Sequence, residues 1–232
     1  MADKSKLSKA PSLLNDDGTA SMATAFMSSH HAFRRDIAQF ARALARVAAG
    51  DHARVGALRE EWARYCGALH GHHTVEDTGI FPSTKQQHPE LAAVIDGLFA
   101  DHHKMDPMLE EGDRTFAGLP ATVEAASGLV SRLSALLDTH LATEETHIIP
   151  TLRAAKAFPP PASDAELEMY AQGFAWSSHG IAPDILDKLY GIVPAAVVAK
   201  LPAARAAFAQ RCEQVWGTAE AGASRTPIPD WL

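Results

Sequence analysis

The stretch His72-His73-Thr74-Val75-Glu76-Asp77-Thr78-Gly79-Ile80-Phe81-Pro82 aligns without gaps on His140-Leu141-Ala142-Thr143-Glu144-Glu145-Thr146-His147-Ile148-Ile149-Pro150. Histidine, glutamate, threonine, isoleucine and proline recur in register across the two blocks. Residues four apart in a helix lie on one face, one turn from each other, so each His-x-x-x-Glu aims an imidazole and a carboxylate at a common point. Each block also follows an earlier histidine: His30 lies 42 residues before His72, and His102 lies 38 before His140. The chain therefore reads as two similar helical hairpins, each delivering one histidine plus one His-x-x-x-Glu.

Working outward, a bundle helix buries a stripe that alternates three- and four-residue steps. The stripes read Phe26, His30, Phe33, Ile37, Phe40, Leu44, Val47 in a first run, then Val55, Leu58, Trp62, Tyr65, Leu69, His72, Glu76 in a second. A third gives Leu91, Ile95, Leu98, His102, Met105, Leu109, and a fourth gives Val130, Leu133, Leu137, His140, Glu144. Each seam is apolar until it meets one histidine, and two seams add a glutamate one turn later. His30 and His72 stand about twenty residues either side of Gly50, so at about 1.5 Å per residue they meet at similar height. His102 and His140 flank the third turn with a looser match.

Helix formers dominate about 21–49, closed by Gly50-Asp51. Further runs cover about 52–80, stopping before Pro82, then from Pro89 to near Gly112, and from Pro120 to just before Pro150. Strand alternation is missing throughout. These features predict an all-α protein: an antiparallel up-down four-helix bundle over 21–155. A polar, flexible arm over 1–20 precedes it, and a C-terminal helical extension over 156–232 follows. The extension begins at Pro159-Pro160-Pro161 and opens a helix with the capping pattern Ser163 to Glu166. It breaks at Pro183, Pro194 and Pro202 and carries a last helix to about Trp216.

Composition bounds the function. In 232 residues, 47% hydrophobic and 21% charged content excludes wholesale disorder. A net charge of −7 with no basic stripe argues against nucleic acid as a partner. Two cysteines, Cys66 and Cys212, make neither a disulfide scaffold nor a paired zinc motif. No apolar run approaches the roughly 20 residues that span a bilayer, and the first residues lack the apolar core of a signal peptide. A cytoplasmic protein without membrane contact is expected; a homo-oligomer or a protein partner is compatible with this composition.

The 12 histidines are an excess with a pattern. Four buried histidines and two buried glutamates would be costly without a counter-charge. Imidazole nitrogen and carboxylate oxygen suit iron, manganese or zinc, so His30, His72, Glu76, His102, His140 and Glu144 are the candidate metal ligands. Two symmetrically placed carboxylates can each bridge two metals, leaving positions open to a small ligand. His31, His73 and His103 read as flanking residues beside the seam; His70, His88 and His147 read as surface or helix-end residues. Glu144-x-x-His147 matches half of a ferritin-like Glu-x-x-His motif, but the other block has Gly79 at that place. Trp62 and Trp176 read as core or interface fillers.

Together, His30 followed by Phe33-Arg34-Arg35-Asp36, the His72/Glu76 block ending in Phe81-Pro82, Asp101-His102, and the His140/Glu144 block ending in Ile149-Pro150 resemble the haemerythrin-like family of HHE cation-binding domains. The resemblance covers about 22–152. It implies a four-helix bundle around an oxo- or hydroxo-bridged di-iron centre that binds O2, NO or peroxide for sensing, storage or detoxification. A peroxide-decomposing or oxidase-type di-iron enzyme and a metal-dependent regulatory module are the alternatives it carries. The chain departs from the oxygen-carrying members, which have His-x-x-x-His on the third helix; here Asp106 and Pro107 follow His102 at that place. The same members step five residues on the fourth helix, which would select Glu145. A seventh ligand is thus left among Asp106, Tyr65, His73, Glu145 and water. The Trp176-Ser177-Ser178-His179-Gly180 segment is similar to tails of some bacterial members.

Overall fold

A computed structural model describes residues 12–217. Among them every regular element is helical and no strand occurs. The long helices are α1 (Met22–Ala48), α2 (Val55–Val75), α4 (Ala92–Ala117) and α5 (Val123–His147), with a short α3 (Phe81–Gln87) between α2 and α4. α1 packs on α2 and α5, and α4 packs on α2 and α5, so the four long helices close a ring. The seams read from the sequence form its core: Phe33, Phe40, Leu44, Trp62, Leu69, Leu98, Leu133 and Leu137 are all buried.

Local chemistry sets the helix ends. Gly50 takes φ +98°, a left-handed conformation that glycine adopts without a steric cost. Its N–H donates to the Val47 carbonyl, and the Asp51 N–H donates to the Arg46 carbonyl, both at 3.0 Å. This is the Schellman arrangement that satisfies the last carbonyls of α1.

Two expected boundaries move. The second run does not stop before Pro82. Glu76–Ile80 form a π turn, the Phe81 N–H donates to the Glu76 carbonyl, and the chain continues as α3 with Pro82 in its first turn. The π turn shifts the helical hydrogen bonding by one residue at this point, and Pro82, which has no N–H to donate, falls directly after it. The third run does not end near Gly112 but continues to Ala117. Gly112 is in the helix because Trp62 lies against it: a Cβ at this position would stand 2.0 Å from the Trp62 ring.

Residues 12–20, expected within the arm, lie against the bundle. Leu13 is buried with Ala23, Met27, Ile149 and Ile181. Arg153 donates to the carbonyls of Ser12 and Leu14 and to the Asn15 side chain. Residues 1–11 of the arm and 218–232 of the extension lie outside the described residues.

The extension contributes α6 (Asp164–Ser177), α7 (Pro183–Tyr190) and α8 (Ala195–Trp216). Ser163 caps α6 by accepting from the Glu166 N–H at 3.2 Å, and the Glu166 carboxylate accepts from the Ala162 N–H. Pro202 lies inside α8 and does not break it. Phe174, Leu189, Val193, Val197 and Leu201 make a small core of their own, while Ala175, Phe208, Cys212, Val215 and Trp216 join the core of the bundle.

Candidate metal centre

All six residues singled out from the sequence converge. The structure holds two groups of donor atoms, each lying within 4.8 Å of one another: His30, His72, Glu76 and Glu144, and His73, His102, His140 and Glu76. Their union is five imidazoles and two carboxylates, with Glu76 in both groups. Each carboxylate divides its oxygens between the groups. Glu76 Oε1 lies 3.1 Å from His72 Nε2, and Oε2 lies 3.6 Å from His102 Nε2. Glu144 Oε2 lies 3.4 Å from His30 Nε2, and Oε1 lies 3.2 Å from His140 Nε2.

The donor that the sequence placed on a flank is His73. It is buried in the second group, and its ring stacks on His102 with centroids 3.8 Å apart. The repeat carried a signal for it: the equivalent position in the second block is Leu141, an apolar residue that is fully buried. The other candidates for a seventh ligand stand elsewhere. Asp106 is exposed. Tyr65 is buried among Phe33, Phe40 and Trp62, outside both groups. Glu145 points to the far side of His30, with Oε1 3.0 Å from His30 Nδ1, and Arg34 Nη1 donates to the same oxygen at 2.5 Å. Of the remaining flanking histidines, His31 is buried and His103 is exposed.

Carboxylates behind the rings fix which nitrogen faces inward. An ionised carboxylate only accepts, so Glu145 accepts from the Nδ1–H of His30 and turns Nε2 toward Glu144. Asp77 does the same for His102, with Nδ1 to Oδ1 at 2.8 Å. This carboxylate–imidazole pairing is the usual support behind metal-bound histidine. Glu76 and Asp77 are consecutive residues of the π turn; Glu76 reaches toward Nε2 of His102 and Asp77 toward its Nδ1.

The donor set fits a cation. His30 Nε2, His72 Nε2, His73 Nε2, Glu76 Oε2 and both Glu144 carboxylate oxygens are buried without a hydrogen-bond partner. Such groups in native proteins call for a specific explanation. His102 Nε2 and His140 Nε2 face each other at 3.1 Å, a gap that one shared proton or a cation can fill. Burial, reinforced by the neighbouring His30, pushes the His72 imidazole down to about 3. Burial and the adjacent His102 push His73 down to about 2. Neutral imidazoles are the form that binds metal. Burial and the nearby Glu144 raise Glu76 well above the carboxylate range. For Glu144 burial acts upward, but the imidazoles of His140, His30 and His72 outweigh it and hold the group low. Two adjacent buried carboxylates do not both ionise without a compensating positive charge.

Apolar rings enclose the site. Phe26 and Phe33 each lie 5.2 Å from His72, and Phe81 stacks on His102 at 5.6 Å. Among the described residues no helix is long and apolar enough to cross a membrane.

Helices that bring imidazole and carboxylate donors together on one buried point define a helical cation-binding domain. The chain belongs to the hemerythrin HHE cation binding domain family, whose model matches residues 21–152. Comparison with the curated proteins and with the solved structures gave no match.

Proposed function

We propose that this chain is a non-haem di-iron protein, an antiparallel up-down four-helix bundle over 21–155 that binds O2, NO or peroxide for sensing, storage or detoxification. The observation that carries the reading is the division of oxygens in Glu76 and Glu144, each of which touches a histidine of either donor group. His30 and His72 would hold one iron, His73, His102 and His140 the other, with Glu76 and Glu144 between them. Iron, when bound, would supply open coordination positions for a diatomic ligand or peroxide and, in its reduced state, electrons to O2. Zinc and manganese accept the same donor types.

The protein's part is to hold and shield. Glu145 and Asp77 hold the rings of His30 and His102 with Nε2 aimed inward. Phe26, Phe33 and Phe81, with Leu69, Leu98 and Leu137 one turn along their helices from His72, His102 and His140, exclude water. With Glu76 and Glu144 between the two positions, the two-imidazole side would have fewer protein donors than the three-imidazole side and would be the one left open to an incoming ligand. The reading is tested by loading the metal-free protein anaerobically with Fe(II), then adding O2, NO and, after oxidation, H2O2. A new charge-transfer band with any of the three is expected. Spectra that stay unchanged with all three contradict the ligand-binding role.

A further inference from the structure

The family match ends at residue 152, yet a helix beyond it reaches the candidate metal centre. Trp176, near the end of α6, sets its ring 5.0 Å from that of Phe33, inclined at 67°. Phe33 is fully buried, and its ring also lies 5.2 Å from the imidazole of His72. The indole is fixed from behind as well. Its Nε1 donates to Asp36 Oδ2 at 2.7 Å, and Asp36 Oδ1 accepts from Arg35 Nε, also at 2.7 Å. Arg35 Nη1 then donates to the carbonyls of Trp176 at 3.1 Å and His179 at 2.9 Å.

Arg35 and Asp36 are each 4% exposed. A buried ion pair is weak evidence of stability, because desolvation offsets much of its attraction, and its best-attested use is to fix one arrangement over others. Here the hydrogen bonds of both partners run to the segment 176–179, so the arrangement being fixed is the seat of Trp176 on Phe33. The apolar shell around a metal ligand controls its solvent access and local dielectric, and Phe33, which Trp176 packs against, is part of that shell for His72.

We infer that Trp176 is a positioning residue for His72, acting through Phe33, and that the C-terminal extension is in this way part of the two-imidazole half of the metal centre. The three-imidazole half is backed instead by Phe81 and Asp77, against His102. The inference rests on the two-metal reading above, and it predicts an effect on one metal position only.

The test is a titration of the full-length, metal-free chain with Zn2+ in competition with a chromophoric chelator. The wild-type protein is expected to bind two ions. Trp176→Ala should weaken one of them severalfold and leave the other unchanged. Trp176→Phe, which keeps a ring on Phe33, should recover most of the loss. Phe33→Leu should reproduce the selective weakening from the bundle side. Phe174→Ala alters the same helix within the separate small core and should leave both ions bound as in wild type. Equal weakening of both ions by Trp176→Ala, no weakening of either, or an equal effect of Phe174→Ala would overturn the inference while the two-metal reading stands. A wild-type chain that does not bind two ions overturns that reading, and the inference with it.

Discussion

Glu145 lies 3.0 Å from His30, oxygen to Nδ1, and so stands away from the ring nitrogen that faces the donor group. Glu144, one residue earlier, faces that inward nitrogen. Two successive glutamates on α5 thus address the two nitrogens of one imidazole, and only one of them lies in a donor group.

This relationship separates their roles. Glu144→Ala removes a carboxylate that lies in the first donor group and also reaches His140 of the second, and should abolish binding of one or both metals. Glu145→Ala should keep the metal count but lower affinity by roughly 10–100-fold, the usual effect of losing the group behind a metal-bound histidine. Metal counts and competition titrations on both variants decide it; a lost metal in Glu145→Ala would make Glu145 a ligand.

His73 and His103 follow the seam histidines His72 and His102, but only His73 is buried in a donor group. His73→Ala should strip or sharply weaken the metal on the three-imidazole side. His103→Ala should leave binding unchanged. Equal effects of the two substitutions, read by elemental analysis of the purified proteins, would contradict the placement of His73.

Gly112 is a test of packing alone. An added Cβ would meet the Trp62 indole at 2.0 Å, and Trp62 is fixed at its edge by a 3.0 Å hydrogen bond from Nε1 to Asp113. Gly112→Ala should destabilise the bundle by about 1–3 kcal/mol, the range for overpacking a core, despite the better helix propensity of alanine. Denaturant melts of the metal-free protein measure it, with metal stoichiometry unchanged.

The metal-free protein should also respond to acid through His72. Its ordinary value of 6.5 falls to about 3 in the fold because burial disfavours the charged ring. Between those values the unfolded chain binds more protons than the folded one, so stability falls as pH drops from about 6.5 toward 3. Glu76, raised by burial, acts in the opposite sense, so the comparison is made against His72→Gln. From pH 7 to pH 5 the wild type should lose stability relative to that variant. A difference that stays constant or grows in favour of the wild type would contradict the sign.

The sequence disclosed this centre unevenly, for physical reasons. Seam periodicity picked out His30, His72, Glu76, His102, His140 and Glu144, because a polar residue in an apolar stripe at helical spacing has few other uses. His73 escaped the same criterion because consecutive helical residues point about 100° apart, and a single-face reading admits only one of them. Helix α2 nonetheless meets α1 with one histidine and α4 with the next, which is visible only once its neighbours are placed. The π turn at Glu76–Ile80 was hidden behind Pro82, whose reading as a stop holds for regular α-helix. Leu13 was submerged in a polar segment, and its burial against Met27 and Ile149 follows from the tertiary fold. The link from Trp176 through Phe33 to His72 joins residues more than a hundred positions apart, and no local pattern reports it.

The measurement that bears most directly on the central claim is the ratio of iron to chain after anaerobic loading with Fe(II) and removal of unbound metal. With Glu76 in both donor groups and Glu144 reaching a histidine of each, the account predicts two irons per chain, and fewer in Glu76→Ala. A ratio of one, or a protein that takes up no iron, would contradict it.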